Sequence, residues 1–192
     1  LKKDQLILKE LLEQWESIGE DPKLQQFLYE VNHTFFNENN VEKKLVIFSE
    51  STETVEYLAS ALKRIGREDI LAVSAKNNKN LFGTIRRNFD ANYSEEQENR
   101  YNIIITTEVL AEGVNLHRSN VILNYDIPWN ATRLMQRIGR VNRIGSKADR
   151  IYVYNFFPTA QSNKLIELNE KALKKLQSFH TALGEDAKVY TE

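Results

Sequence analysis

The hydrophobic positions of the chain follow two different periodicities, and the change falls near residue 38. Before that point, large apolar residues recur three or four positions apart, as in amphipathic helices. The two runs are Leu8, Leu11, Leu12, Trp15 and Ile18, and then Leu24, Phe27, Leu28, Val31 and Phe35. Between them, GEDPK supplies a terminating glycine, Gly19, a capping residue, Asp21, and a first-turn proline, Pro22. The pattern therefore predicts a lead-in of two helices over residues 1–38.

From Lys44 onward, short continuous apolar runs alternate with helical patterns. The runs are rich in β-branched residues, which is typical of strands buried on both faces of a sheet. They are LVIF at 45–48, ILAV at 70–73, NIIIT at 102–106, VILNY at 121–125 and IYVYNF at 151–156. Helical stripes separate them, at 55–65, 82–89 and 134–141. This alternation predicts an α/β domain over residues 39–160, with a parallel sheet and helices on both faces.

Two further segments have a distinct character. Residues 91–102 are polar and predict a flexible surface loop. In the last part of the chain, 161–192, apolar residues stay in phase from Leu165 to Leu183, which predicts one long C-terminal helix. The chain opens on Leu1 and not on Met, so we expect it to be part of a longer protein.

Composition narrows the possible functions. Of the 192 residues, 41% are hydrophobic and 28% charged, which suffices for one sizeable core. The sequence has no apolar run approaching the roughly 20 residues of a membrane span. It has no cysteine, and its three histidines are far apart, so we expect no metal site. Such a sequence favours a reducing, cytoplasmic location.

Against a formal net charge of −1, the segment QRIGRVNRIGS at 136–146 concentrates positive charge. On a helix, Leu134, Ile138 and Val141 would share the side that docks on the sheet. The opposite and flanking surface would carry Arg133, Gln136, Arg137, Arg140 and Arg143, with Arg137 nearest the docking side.

The sequence between Pro128 and Ala148 contains no acidic residue that could pair with these arginines locally. A solvated basic helix face is one interpretation. Because the guanidinium fork suits phosphate oxygens, we favour the other, a site for an external anion. Yet the chain has neither a G-x-x-x-x-G-K-[ST] phosphate loop nor an acidic pair arranged to hold magnesium. Its arginines would therefore act on a polyphosphate that another domain holds.

At this point a family resemblance emerges. QRIGRVNRIG resembles motif VI of superfamily 2 helicases and translocases, TTEVLAEGVNL at 106–116 resembles motif V, and KKLVIFSESTETVEYLASAL at 43–62 resembles motif IV. DPK at 21–23 and DIPWN at 126–130 are similar to the Swi/Snf branch, including its bacterial members. The resemblance covers about residues 21–157 and implies a carboxyl-terminal RecA-like domain.

The resemblance also implies a role for individual residues. The arginine fingers that face ATP would be Arg140 and Arg143, and the nucleotide cleft would be lined by Glu112, Gly113, Asn115 and Gln136. Nucleic acid would contact Ser49, Thr106, Thr107 and Glu108. Trp129 would couple the two sites or be an ordinary packed aromatic residue. ATP and Mg²⁺ would be held mainly by an N-terminal RecA-like domain of the same full-length chain, and this chain alone would bind neither.

Two departures affect the choice of nucleic acid. Ser146 stands where Swi/Snf members usually have glutamine, and the QR that opens motif VI also resembles helicases outside that branch. DEAD-box helicases usually have histidine at the position of Gln136. Duplex DNA is therefore the favoured substrate, and RNA is not excluded.

Three interpretations follow. The favoured one is the second motor domain of an ATP-dependent DNA helicase or duplex translocase. The main alternative is a non-catalytic nucleic-acid-binding or interaction module that retains the helicase fold. The third, a domain with its own ATPase activity, conflicts with the missing phosphate loop.

Overall fold

The computed structural model describes residues 2–16, 19–108, 113–128 and 130–157. Within them lie five helices: α1 (Lys2–Glu16), α2 (Pro22–His33), α3 (Thr52–Arg64), α4 (Asn78–Phe89) and α5 (Ala131–Val141). The same residues contain five strands: β1 (Leu45–Phe48), β2 (Ile70–Val73), β3 (Ile103–Thr106), β4 (Val121–Asn124) and β5 (Tyr152–Asn155). The chain divides into two compact units, residues 1–35 and 36–192.

The first unit contains the two predicted helices. The Asp21 carboxylate accepts hydrogen bonds from the main-chain N–H groups of Lys23 and Leu24, at 3.0 and 3.1 Å, and Pro22 opens α2. Both features confirm the predicted start of this helix. Leu24, Phe27 and Val31 of α2 are buried, whereas the stripe of α1 is exposed: Leu8, Leu11 and Leu12 are 64%, 54% and 56% exposed.

The second unit is built on a parallel sheet with the strand order β2-β3-β1-β4-β5. The residues of β1, β3 and β4 are buried throughout, as their continuous apolar runs predict. In the register, Val46 lies opposite Ile104 on one side and Ile122 on the other. This order brings the carboxyl ends of β1, β3 and β4 next to one another, although the three strands are distant in sequence.

Helices cover both faces of this sheet. On one face, Ile85 and Phe89 of α4 and Val141 of α5 share a buried cluster with strand residues that include Val46 and Phe48. The helix α3 contacts β2 and β3. Its limits agree with the sequence, since Ser51 caps its first turn and Gly66 follows its last with φ +86°. The predicted α/β RecA-like fold is confirmed.

The polar segment 91–102 has no helix or strand, as predicted, but it is tied to the domain through a buried arginine. Arg118 donates to the Glu98 carbonyl at 2.8 Å and to the Asn99 side chain at 2.6 Å, and it also bonds Glu42 at 2.7 Å. The segment is thus held at its carboxyl end, and the expectation of a simply flexible loop is wrong there.

A second buried cation, Lys44, precedes β1. Its side chain is fully buried, its ammonium donates to the Tyr101 carbonyl at 2.9 Å and lies 5.0 Å from the centre of the Phe89 ring. Burial, together with the nearby Arg118 charge, lowers the pKa of Lys44 from 10.5 to about 8.

The predicted C-terminal helix at 162–183 and the end of the predicted 39–160 domain, from residue 158 on, lie outside the described residues. Within the described part of the chain, none of the helices combines the length and apolar character that crossing a membrane requires.

Candidate functional site at the strand ends and helix α5

Polar residues meet at the edge of the sheet where β1, β3 and β4 end. Ser49, directly after β1, is fully buried and donates its hydroxyl to Asp126 Oδ2 at 2.6 Å. The same carboxylate oxygen accepts the main-chain N–H of Glu50 at 3.3 Å. These two bonds fasten the end of β1 to the segment that follows β4.

The centre of this edge is Arg137, which reaches it from α5 with no exposed surface. Its guanidinium donates to Glu108 Oε1 through Nε at 2.7 Å and through Nη2, and Nη2 also donates to Glu50 Oε1 at 2.7 Å. Nη1 donates to Asn124 Oδ1 at 2.9 Å and to the Asp126 carbonyl at 3.0 Å. All five N–H donors of this guanidinium thus have acceptors, and those acceptors come from three strand ends.

This geometry corrects the sequence-based placement of Arg137 among the arginines that project from α5 towards an external anion. The acids that Arg137 binds belong to this chain, and they lie 87 and 29 residues away in the sequence. The Phe48 ring, whose centre is 5.1 Å from the guanidinium carbon, covers it on one side. A search for acids within four positions on the same helix could not detect such partners. Glu50, which the sequence analysis did not select, belongs to the site for the same reason.

The other long polar residues of α5, together with Arg143 just beyond its end, lie on the outer side of the helix. Arg133, Gln136 and Arg143 are exposed and Arg140 is partly exposed, while Leu134 and Val141 are buried as predicted. The two end arginines differ in their contacts: Arg133 donates to Glu50 Oε2 at 3.2 Å, and Arg143 donates through Nε to the Gly139 carbonyl at 3.1 Å. Arg143 therefore bonds to its own helix and projects from its carboxyl end.

The segment 113–116, from motif V, lies against the end of this helix. The Leu116 N–H donates to the Arg140 carbonyl at 2.9 Å. Gly113 is exposed with φ +92°, a conformation that favours glycine, and Asn115 is half-buried. The structure thus brings Gly113, Asn115 and Arg140 onto adjoining segments. Glu112 and Trp129 lie outside the described residues.

A tight turn follows α5 and is held by the segment 91–102. Gly145 has φ +103°, and a Cβ atom there would lie 2.5 Å from Asn92 Oδ1. Asn92 Nδ2 donates to the Ile144 carbonyl at 3.1 Å, and the Ile144 side chain is 96% exposed. The sequence analysis did not identify Asn92, because a polar residue in a polar loop carries no local signal of a partner 52 residues away.

A buried histidine, His117, directly follows the 113–116 segment in the sequence. Its Nδ1 is 3.7 Å from Asp90 Oδ1. Burial lowers the pKa of His117, the Arg143 charge lowers it further, and the Asp90 carboxylate opposes both. The imidazole is therefore neutral in the folded protein at neutral pH.

The four residues assigned to nucleic acid lie at the strand ends, but mostly beneath the surface. Ser49 and Thr106 are fully buried and Thr107 is 8% exposed. Thr106 Oγ1 donates to the Thr107 carbonyl at 3.0 Å, and Glu108 bonds Arg137. Their contact with nucleic acid stays a prediction. Among the described residues there is no group of three or more acidic, histidine or cysteine side chains that could hold a metal ion.

Comparison with known proteins agrees with this architecture. ATP-dependent helicase YqhH of Bacillus subtilis is 31% identical over 153 residues, which are 79% of this chain and 25% of YqhH. RNA polymerase-associated protein RapA of Vibrio campbellii is 32% identical over 143 residues, 73% of this chain and 14% of RapA. The chain thus spans about a quarter or less of these two relatives.

The fold and the family are both supported. The E. coli DEAD-box protein SrmB, in its structure bound to regulator of ribonuclease activity A, superimposes with a TM-score of 0.55 at 20% identity, over 78% of this chain and 76% of that one. The family model of the helicase conserved C-terminal domain matches residues 23–145, which include all three motifs and every strand except β5. The chain therefore belongs to the helicase C-terminal domain family and is a carboxyl-terminal RecA-like domain of the superfamily 2 type.

Proposed function

We propose that this chain is the second motor domain of an ATP-dependent DNA helicase or duplex translocase. In this proposal it pairs with an N-terminal RecA-like domain that holds ATP and Mg²⁺, and it supplies Arg140 and Arg143 as arginine fingers. The observation that carries the proposal is the division of labour on α5. The donors of Arg137 are all taken by acceptors of this chain, including Glu50 and Glu108. Arg143, in contrast, projects at the helix end, where the Gly113–Leu116 segment adjoins Arg140.

Charge placement supports a catalytic role for the projecting arginine over a structural one. Arg143 is exposed, and its Nε bonds a carbonyl of its own helix, so the fold gains little from it. An arginine in such a position can act on charge that develops on a transferred phosphoryl group. Because the chain has no phosphate loop, we expect it to hydrolyse no ATP by itself.

The choice of duplex DNA rests on Gln136 at the start of motif VI and on the similarity to the Swi/Snf branch. Nucleic-acid contact would take place at the edge where the strands end. Contacts with backbone phosphates make association depend steeply on salt and little on base sequence. Stimulation of ATP turnover by duplex DNA, single-stranded DNA and RNA, compared at one salt concentration, tests this choice directly.

The decisive experiment is Arg143→Ala in the complete protein that carries both motor domains. We expect nucleic-acid-stimulated turnover to fall about 10³-fold, roughly 4 kcal/mol, with ATP binding nearly unchanged. Arg143→Lys should rescue poorly, since an ammonium lacks the guanidinium fork. Steady-state turnover and equilibrium binding of an ATP analogue give the two readouts.

The matched control is Arg64→Ala, an exposed arginine in the last turn of α3. It should change turnover by less than about threefold, because surface substitutions away from a site usually have small effects. If Arg143→Ala keeps normal turnover but loses nucleic-acid affinity, the arginine reads backbone phosphate, and the non-catalytic binding module becomes the better description.

A further inference from the structure

The fully hydrogen-bonded guanidinium of Arg137 has no direct contact with ATP or nucleic acid in the proposal above. Arg137 has no exposed surface, and its acceptors come from the ends of β1, β3 and β4. The two carboxylates that bind it are not fully enclosed: the side chains of Glu50 and Glu108 are 35% and 25% exposed. The buried cation thus connects a helix to two acids that face the surface.

We propose that Arg137 is a positioning residue, which transmits the arrangement of the strand ends to the helix that carries the arginine fingers. This inference rests on the proposed function. It adds a named mechanical link, the Arg137 clamp, formed by Arg137, Glu50 and Glu108, between the nucleic-acid edge and the nucleotide cleft.

A buried ion pair is a poor source of stability, because desolvation cancels much of the attraction between its charges, and a well-packed apolar residue often stabilises a fold equally well. A guanidinium with five filled donors does, however, define one geometry: the fork holds each acceptor in a fixed direction. The arrangement at Arg137 therefore suits the control of orientation better than the gain of stability.

The helix α5 is held by hydrogen bonds at several points along its length. Glu50 bridges two arginines of the helix, with Oε1 on Arg137 and Oε2 on Arg133. At the other end, the Leu116 N–H holds the Arg140 carbonyl. A shift of Glu50 or Glu108 at the strand ends therefore pulls directly on α5. Arg140 lies one helical turn from Arg137, about 4.5 Å along the axis, so such a shift reaches the finger within one rigid element.

Arg137 also changes the charge at the edge of the sheet. Without Arg137, the edge assigned to nucleic acid would present the carboxylates of Glu50, Glu108 and Asp126 to a polyanion, with Arg133 bonded to Glu50 alone among these three in the described contacts. The clamp neutralises two of these acids from within. Nucleic acid could then approach the edge without strong repulsion, and the same acids would report its arrival to α5.

The test uses a neutral replacement in the complete two-domain protein: Glu50→Gln, Glu108→Gln and Arg137→Met together. Removing all three charges leaves no buried charge unpaired, so we expect the protein to fold, as judged by its thermal transition. The measured quantity is the ratio of ATP turnover at saturating nucleic acid to turnover without it. We expect this ratio to fall at least tenfold.

Two further variants make the result unambiguous. Arg137→Lys keeps the buried charge but loses the fork, and the ratio should again fall at least tenfold, a loss that decides the matter if the triple variant does not fold. The control is Arg67→Met with Asp69→Asn, which removes another two-pronged ion pair, with contacts of 2.9 and 3.0 Å, outside the three motor motifs. It should leave the ratio unchanged.

The outcomes separate the two levels of the proposal. If the wild-type protein shows no stimulation by any nucleic acid, the motor function itself is wrong. If the wild type is stimulated and the folded triple variant or Arg137→Lys is stimulated equally, the clamp is only structural. If Arg137→Lys, which keeps both carboxylates, loses nucleic-acid affinity instead of stimulation, the cluster acts in binding and the inference is overturned.

Discussion

Replacing Gly145 by alanine tests how the turn after α5 is built. The new Cβ would occupy a backbone conformation at φ +103°, which side chains rarely adopt, and it would lie 2.5 Å from Asn92 Oδ1. The strain costs about 1–3 kcal/mol. The collision is cheaper, because Asn92 is exposed and can rotate away, so its cost is the hydrogen bond to the Ile144 carbonyl, about 0.5–1 kcal/mol. The total expected destabilisation is about 1.5–4 kcal/mol.

A double-mutant cycle separates these two contributions. Asn92→Ala alone should cost about 0.5–1 kcal/mol, the value of the exposed hydrogen bond. Once that bond is lost, adding Asn92→Ala to Gly145→Ala should cost almost nothing more, so the two changes should be non-additive by about the full effect of Asn92→Ala. Urea denaturation of the 192-residue chain, followed by far-ultraviolet circular dichroism, measures all four free energies of unfolding.

The turn has a functional consequence as well, since it directly follows Arg143. In the complete protein, Gly145→Ala should lower stimulated turnover, and Asn92→Ala should do so less, because it leaves the glycine conformation intact. A cost below about 0.5 kcal/mol for Gly145→Ala would refute the strain argument, since that is the range of neutral surface changes. Additive free energies in the cycle would refute the role of Asn92.

Three other predictions concern the stability of the chain. Burial disfavours the charged form of Lys44. As the pH rises from the folded pKa of about 8 to the ordinary value of 10.5, the free energy of unfolding of the wild type should therefore increase by about 3 kcal/mol relative to Lys44→Met. Urea denaturation at several pH values measures this increase, and the exposed Lys63→Met should show no such trend. Because the pKa of His117 is lowered in the folded state, the unfolded chain takes up the proton first as the pH falls below 6.5, so the free energy of unfolding should decline there. His117→Gln should flatten this decline. An unchanged dependence of stability on pH in the variant would argue against a buried neutral imidazole. Ser51→Ala should cost about 1 kcal/mol by removing the cap of α3, whereas Ser60→Ala on the exposed face of the same helix should be nearly neutral in the same denaturation assay.

Much of the fold could be predicted because its signals are local. A helix cap such as Asp21 or Ser51 acts on an N–H two or three residues away, and Gly66 ends a helix through its own backbone conformation. The strands β1, β3 and β4 are recognisable because each is buried throughout, and such burial leaves a continuous apolar run, whereas the edge strand β5 keeps the apolar run although its residues are only partly buried. Leu134 and Val141 define the inner side of α5 in the same way.

Local periodicity left two features of the structure undetermined for an identifiable reason. The leucines of α1 have the spacing of a buried stripe, yet Leu8, Leu11 and Leu12 are more than half exposed. Spacing predicts a helix and an apolar side, but it carries no information on what covers that side. The polar segment 91–102 is the opposite case: its local pattern predicts a free loop, yet Arg118, which lies three residues before β4, binds its carboxyl end.

The amino-acid sequence by itself determined the order of helices and strands, the motifs that define the family, and the placement of Arg140 and Arg143 near the end of one helix. Only the tertiary structure decided which arginine is internal. Arg137 is buried because the sheet order places the ends of β1, β3 and β4 side by side and so brings Glu50 and Glu108 to the same point on α5. Helical periodicity links residues three or four positions apart, whereas a counter-ion 87 residues away is chosen by strand order and by the cost of burying an unpaired charge.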